Sequence, residues 1–163
     1  MTATAITFQV LTDPRPAARP KVMNRRGKGG KMFPVAIKAD EDVEAQADVG
    51  KAFTEALGVY GATWPQEPDR AYQVHLIFGR GNYRRADADN LTKTVLDGLT
   101  GLAWKDDSQA VRGTWAIDYT PRRENGQPFT LVTIRRLPYT WKGEPMPLVT
   151  PQPDEGSPLP LSP

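Results

Sequence analysis

The sequence predicts an α+β fold, a small mixed β-sheet with two helices, and three patterns point to it. Stretches of apolar–polar alternation recur along the chain, two stretches carry apolar residues at helical spacing, and the two kinds do not alternate as regular βαβ units. At 163 residues the chain suits one domain, long enough to bury a core and short for two.

Ile6, Phe8 and Val10 alternate with Thr7 and Gln9 as in a half-buried strand, and Pro14 and Pro16 end the run. Lys21 to Met23 and Met32 to Ile37 flank Arg25-Arg26-Gly27-Lys28-Gly29-Gly30, where the glycines permit a flexible turn, so a loose basic hairpin is expected. From Asp40 to Leu57, Val43, Ala47, Phe53 and Leu57 recur at helical spacing, and Asp40, Glu41 and Asp42 suit the positive end of that helix. Tyr72, Val74, Leu76 and Phe78 form the strongest strand pattern, which reaches Arg80. After a loop from Gly81 to Ala86, Asp89 is the expected N-cap of a short helix striped by Leu91, Val95, Leu96, Leu99 and Leu102, and broken near Gly98 and Gly101. Val111, Trp115, Ile117 and Tyr119 suggest another strand, Arg122 to Gln127 a turn, and Phe129 to Leu137 the last strand. Residues 1–138 are thus the predicted domain. Residues 139–163 are crowded with Pro and small polar side chains, too poor in apolar groups to offset the entropy of ordering, and are expected to be a disordered tail.

The chain has no Cys and one His, which excludes disulfides, thiolate zinc sites and a cysteine nucleophile, and makes a Ser-His-Asp hydrolase hard to build. His75 lies on the strongest strand without a motif around it, so a structural role is expected. Carboxylates remain as the catalytic groups, and any metal must be held by oxygen. The first residues lack the basic and apolar regions of a secretory signal, and no stretch approaches the ~18 apolar residues of a membrane span, so a cytoplasmic protein is expected.

A net charge of +2 says little, but its distribution says more. Eight Lys or Arg and no acid lie between Arg15 and Lys38, with further clusters at Arg80, Arg84, Arg85 and at Arg122, Arg123, Arg135, Arg136. Such segregation suits a polyanion; the alternative is a solvated arm. The glycine-rich part has no Walker signature and argues for no nucleotide site.

The densest signal is Arg84-Arg85-Ala86-Asp87-Ala88-Asp89-Asn90-Leu91-Thr92-Lys93, followed by Asp97 and by Trp104-Lys105-Asp106-Asp107. In an extended chain Asp87 and Asp89 point to one side and can share an ion. Once the helix begins, Asp89, Lys93 and Asp97 follow at spacings of four near one face, and Asp106 or Asp107 could complete a cluster when the chain returns. Two like charges 4 Å apart repel by ~4 kcal/mol at an effective dielectric of 20, so clustered carboxylates need a cation or protons. Magnesium fits, since it takes a few carboxylates, keeps several waters and promotes phosphodiester hydrolysis. The competing reading makes Asp87 and Asp89 helix caps, Asp106-Asp107 a solvated turn, and Lys93 a surface lysine paired with Asp89 and Asp97. A calcium loop fails on spacing, since Leu91, Thr92 and Gly98 stand where an EF-hand needs Asp or Asn, Gly and Glu.

These residues resemble the RusA family of Holliday-junction resolvases, whose signature is a basic run, Asp-x-Asp-Asn-Leu-x-Lys, an Asp four residues later and an Asp-Asp pair. The match is dense over Arg84 to Gln109, looser from Arg15 through Leu137, and only approximate around Pro20-Lys21. The resemblance implies a RusA-like α+β homodimer that binds four-way DNA junctions and, with Mg2+, cuts paired strands symmetrically in recombination and repair. By position, Asp87, Asp89 and Asp107 would be metal ligands and catalytic acids, and Lys93 an electrostatic helper. Lys21, Arg25, Arg26, Lys28, Arg84 and Arg85 are then the expected DNA contacts. A nucleoid-associated location would follow, and because the family often travels with prophages a phage origin is compatible. Two other functions compete: a non-catalytic DNA-binding module using the same basic surface, and a magnesium-dependent hydrolase of small phosphate esters. The long basic surface argues against the last, since a small substrate needs few charges.

Overall fold

The computed structural model describes residues 2–18, 21–119 and 127–146. Its elements follow the expected order: β1 (Ala5–Val10), β2 (Lys21–Arg26), β3 (Met32–Ile37), α1 (Asp40–Val59), β4 (Arg70–Arg80), α2 (Ala88–Leu99), a 3-10 turn (Asp107–Gln109), β5 (Ala110–Tyr119) and β6 (Phe129–Thr140). Strands β1, β6, β4 and β5 lie side by side in a four-stranded mixed sheet, while β2 and β3 form a separate antiparallel hairpin. Only β4 and β5 run parallel, joined through α2; the other main-sheet neighbours are antiparallel. The fold is therefore α+β, as the sequence predicts.

The alternation read in β1 and β4 becomes one buried face. Ile6, Phe8 and Val10 of β1 align through Ile134, Val132 and Thr130 of β6 with Val74, Leu76 and Phe78 of β4. Against this face lie Val49 and Phe53 of α1 and Leu91, Val95 and Leu99 of α2. Five aromatic rings run through the core: Phe8, Phe53, Trp64, Tyr72 and Trp104, each neighbouring pair 5.6–6.1 Å apart between centroids. Trp104 and Tyr72 are fully buried, and burial of this kind is the main favourable term in such a fold. The opposite sheet face carries Thr7, Thr133, His75 and Thr114 in register across all four strands, with His75 Nδ1 2.6 Å from Thr114 Oγ1.

Differences from expectation have local causes. Strand β5 keeps Trp115 53% exposed, because it is the sheet edge and the helices pack over the strands inside it. Helix α2 ends at Leu99, so Leu102 leaves the predicted stripe and lies in the following turn. The helix ends beside Gly101 as expected, whereas Gly98 stays inside it and lets the helices touch: a Cβ on Gly98 would come 2.7 Å from the Gln46 carbonyl oxygen, and one on Gly50 of α1 would come 3.3 Å from that of Gly98. The final strand continues to Thr140, and the chain turns back, with the Trp141 amide donating to Asp69 O (2.9 Å) and that of Met146 to Pro138 O (2.9 Å). Residues 139–146 thus join the fold, while the remainder of the predicted tail, from 147, lies outside the described residues. So do Arg19, Pro20, Arg122 and Arg123, with most of the turn expected around the last two. Among the described residues no helix is long and apolar enough to cross a membrane.

Candidate metal centre and nucleic-acid surface

Strand β4 delivers the chain to the acidic motif through a pinned loop. Arg80 is buried and donates to Pro14 O (2.8 Å) and Asn82 Oδ1 (3.2 Å), while Asp13 accepts from the Gly81 amide (3.3 Å) and Asn82 Nδ2 (3.0 Å). Asn82 Oδ1 also accepts from the Arg84 amide at 3.0 Å. With these groups fixed, Arg84 and Arg85 are both exposed just before Asp87.

The helix cap is Asp87, not Asp89 as expected. Asp87 is extended (φ −76, ψ 118), and its Oδ1 accepts from the Asp89 amide at 3.0 Å while Oδ2 accepts from Asn90 Nδ2 at 3.1 Å. Asp89 already lies in the first helical turn, so the two carboxylates become neighbours through capping rather than through strand alternation. Both remain exposed, and both occupy the positive end of α2, where unpaired amides favour negative charge. Lys93 is exposed one turn further along. Asp97 does not join them as the spacing suggested. Its carboxylate pairs with Lys38 Nζ (3.1 Å) and accepts from Gln46 Nε2 (3.1 Å), so it ties α2 to α1 and to the end of the basic hairpin.

The Asp106-Asp107 pair sits elsewhere. Asp106 caps the 3-10 turn by accepting from the Ser108 amide at 2.9 Å, and hydrogen bonding from the Ser108 side chain and backbone holds its carboxyl below the ordinary value of 3.8. Gln109, almost fully buried, closes this capping box: its Oε1 accepts from the Asp106 and Lys105 amides, and its Nε2 donates to Glu67 O (2.8 Å) and Arg70 O (3.0 Å). Asp107 stays exposed beside it. These anchors fix the turn at the start of β4, where Ala110 pairs with Tyr72, whereas Asp87 follows the other end of β4. Helix α2 runs between them, and its 12 residues span ~18 Å at ~1.5 Å per residue. Among the described residues no three of His, Cys, Asp and Glu stand close enough to hold one metal ion. One chain therefore brings together Asp87 and Asp89 and leaves Asp107 apart.

The basic hairpin is rooted beside the paired acids. A strap ahead of it bonds to α2 through the Ala17 amide to Asn90 O (3.0 Å) and Thr94 Oγ1 to Arg15 O (2.9 Å). Nearly buried Asp42 of α1 accepts from the Ala18 amide (3.0 Å) and faces Arg15 Nε at 3.6 Å, and Arg15 also pairs with Glu41. Nothing in the sequence pattern distinguishes Asp42 from its acidic neighbours; its partners are 24 and 27 residues away. Beyond the strap, Lys21 pairs in register with Ile37, and Arg25 and Arg26 pair with Phe33 and Met32 near the tip, followed by exposed Lys28. Gly29 and Gly30, at φ 96 and 80, supply the left-handed turn that other residues rarely adopt. Val22, Met23, Met32 and Phe33 are all more than half exposed, so the hairpin projects as an arm.

The α+β domain thus presents two exposed aspartates at a helix start with a basic arm rooted next to them. A family model for the endodeoxyribonuclease RusA matches residues 12–135, most of the chain, and the protein belongs to this family of Holliday-junction endonucleases. No curated protein matches the chain.

Proposed function

We propose that the chain is a magnesium-dependent endonuclease that resolves four-way DNA junctions by paired phosphodiester hydrolysis, acting as a homodimer in recombination and repair. The observation that carries this reading is the exposed pair Asp87 and Asp89, held at the start of α2 beside the root of the basic arm. Two carboxylates on a cysteine-free chain form an all-oxygen donor set, which suits magnesium better than zinc. Asp87 and Asp89 would hold the ion, which supplies Lewis acidity toward a phosphoryl oxygen and a more acidic water. Lys93 adds positive charge where negative charge develops on the phosphorane. Arg84, Arg85 and the arm with Lys21, Arg25, Arg26 and Lys28 hold the phosphate backbone.

Asp107 enters through symmetry. It is exposed, leaves capping to Asp106, and is out of reach of the acid pair in its own chain. A four-way junction has approximate two-fold symmetry, and matched cuts call for two identical sites. In a two-fold dimer the partner's Asp107 would complete each set of three carboxylates, which makes dimerisation a requirement for cleavage. Such a substrate is met at the nucleoid in the cytoplasm, and the reading is compatible with a phage or prophage origin.

The hydrogen bonds of Asp87 also favour a second reading, in which the acids only cap α2 and the chain binds DNA without cutting it. The deciding experiment incubates the protein with a synthetic four-way junction, a linear duplex and a mononucleotide, in magnesium and in chelator. Paired nicks confined to the junction and dependent on magnesium are expected. Junction binding without cleavage would establish the binding module, and turnover of the mononucleotide would establish a small-ester hydrolase.

A further inference from the structure

Tyr83 stands between Asn82 and Arg84 in the loop that leads to the acid pair, and it is 56% exposed. Its ring lies on that of Tyr119, with centroids 6.0 Å apart and planes at 24°. Tyr119 ends β5 and pairs in register with Arg80 at the end of β4. The two rings therefore sit at the carboxyl ends of the parallel strand pair, where the loop to Asp87 departs. With Arg85, Ile117 and Asp118 they line an open groove.

A planar, half-exposed ring followed by two exposed arginines suits a ligand that is both flat and anionic. A nucleotide has those properties: its base stacks on an aromatic face and its phosphate meets a guanidinium. Asp118, also in the lining, disfavours a phosphate directly over the rings. Tyr83 and Asp87 are four positions apart, a reach of at most ~14 Å in extended chain. That is up to about four steps along a stacked strand at ~3.4 Å each. A base on Tyr83 thus lies within a few nucleotides of a phosphate held at Asp87 and Asp89.

Continuous duplex hides its base faces by stacking, whereas a branch point interrupts the stack and uncovers one. We propose that Tyr83, backed by Tyr119, is a stacking platform for a nucleobase whose face the branch point has uncovered, and that it helps the protein distinguish branched from continuous DNA. The proposal rests on the nuclease reading of Asp87 and Asp89.

The test places 2-aminopurine at each of the four positions nearest the branch point of a four-way junction, and at the same positions in a linear duplex. Each DNA is titrated with full-length protein in chelator. Wild type should quench the fluorescence of at least one junction probe and none of the duplex probes. Tyr83→Phe should retain that quenching. Tyr83→Leu, which keeps apolar bulk without a ring, and Tyr83→Ala should lose it, and their preference for junction over duplex should shrink about tenfold, the scale of one base–aromatic stack. Equal quenching by wild type and by folded Tyr83→Leu overturns the platform. Wild type that cuts junctions in magnesium yet quenches no probe overturns the platform alone, whereas wild type that neither binds nor cuts a junction overturns the nuclease reading with it.

Discussion

A pair of aspartates stands at the start of α2 and another in the 3-10 turn that follows the helix, and each pair divides its work in the same way. At the start of the helix Asp87 takes the capping bond from Asp89 N, and Asp89 keeps its carboxylate in solvent. Past the other end Asp106 takes the cap of the 3-10 turn, and Asp107 is left exposed. The pairs differ in their surroundings. The first lies beside the strap that leads into the basic arm, while the second is anchored by Gln109 to the start of β4. Acidic residues that look alike in a motif are thus sorted by backbone geometry into those that also cap a turn, Asp87 and Asp106, and those whose carboxylates make no capping bond, Asp89 and Asp107.

The largest expected effects come from the two available acids. Asp89→Asn and Asp107→Asn remove a charge without removing a cap, so melting temperatures should stay close to wild type. Cleavage of a four-way junction in magnesium should fall at least about a hundredfold for each, since a metal ion contributes several kcal/mol of charge stabilisation. Binding in chelator should persist or tighten, because a negative charge has left a DNA-facing surface. Near-wild-type single-turnover cleavage by folded Asp89→Asn would sink the metal assignment.

Mixing the two inactive variants asks whether the ends of α2 meet across a dimer. A mixed dimer of one Asp89→Asn chain and one Asp107→Asn chain would hold one intact set, namely Asp87 and Asp89 of the second chain with Asp107 of the first. Subunit exchange should therefore restore nicking of one strand while paired cuts remain absent. If each site drew all its acids from a single chain, the mixture would stay inactive.

The arm should yield a smaller, salt-dependent effect. Replacing Arg25, Arg26 and Lys28 by Gln should reduce the slope of log affinity against log salt by up to ~2.7, or ~0.9 for each phosphate that is no longer neutralised. An unchanged slope would reduce these side chains to a solvated extension.

Much of this architecture is legible in the sequence because it is local. Period-two alternation locates β1 and β4, and a glycine-rich basic turn between two extended segments locates the arm. What escapes depends on distance through space. Asp89 and Asp107 are 18 positions apart in the sequence, close enough to suggest one cluster, yet the β4–α2–β5 crossover spends its helix carrying the chain to the far end of the sheet. Asp97 matches the helical spacing of Lys93 but is held by Lys38, 59 residues earlier. Asp89 is a reasonable cap by residue type; one more extended residue, Asp87, takes the role and leaves Asp89 inside the first turn. The start of the tail departs from expectation because its prolines obscure a turn closed by Thr140, Gly143 and Glu144, in which Thr140 N donates to Glu144 O at 2.7 Å.

The smallest expected effect tests the division of work at the second pair. Hydrogen bonds from Ser108, through its side chain and then its amide, favour the ionised form of Asp106 and hold its pKa below 3.8 in the folded protein. Because the folded value is the lower one, the stabilisation is complete above the ordinary carboxylate range and is lost as pH falls through the depressed value. Asp106→Ala should therefore lower the melting temperature slightly at neutral pH, by no more than about 3 °C, with the gap to wild type closing as pH drops below about 4. Asp106→Asn keeps an acceptor for the Ser108 amide and should lie between them at neutral pH. Asp107→Ala removes no capping bond and should melt like wild type at neutral pH while losing cleavage. If Asp107→Ala destabilised the fold as much as Asp106→Ala, both acids would be structural, and the partner's Asp107 would have no part in the metal site.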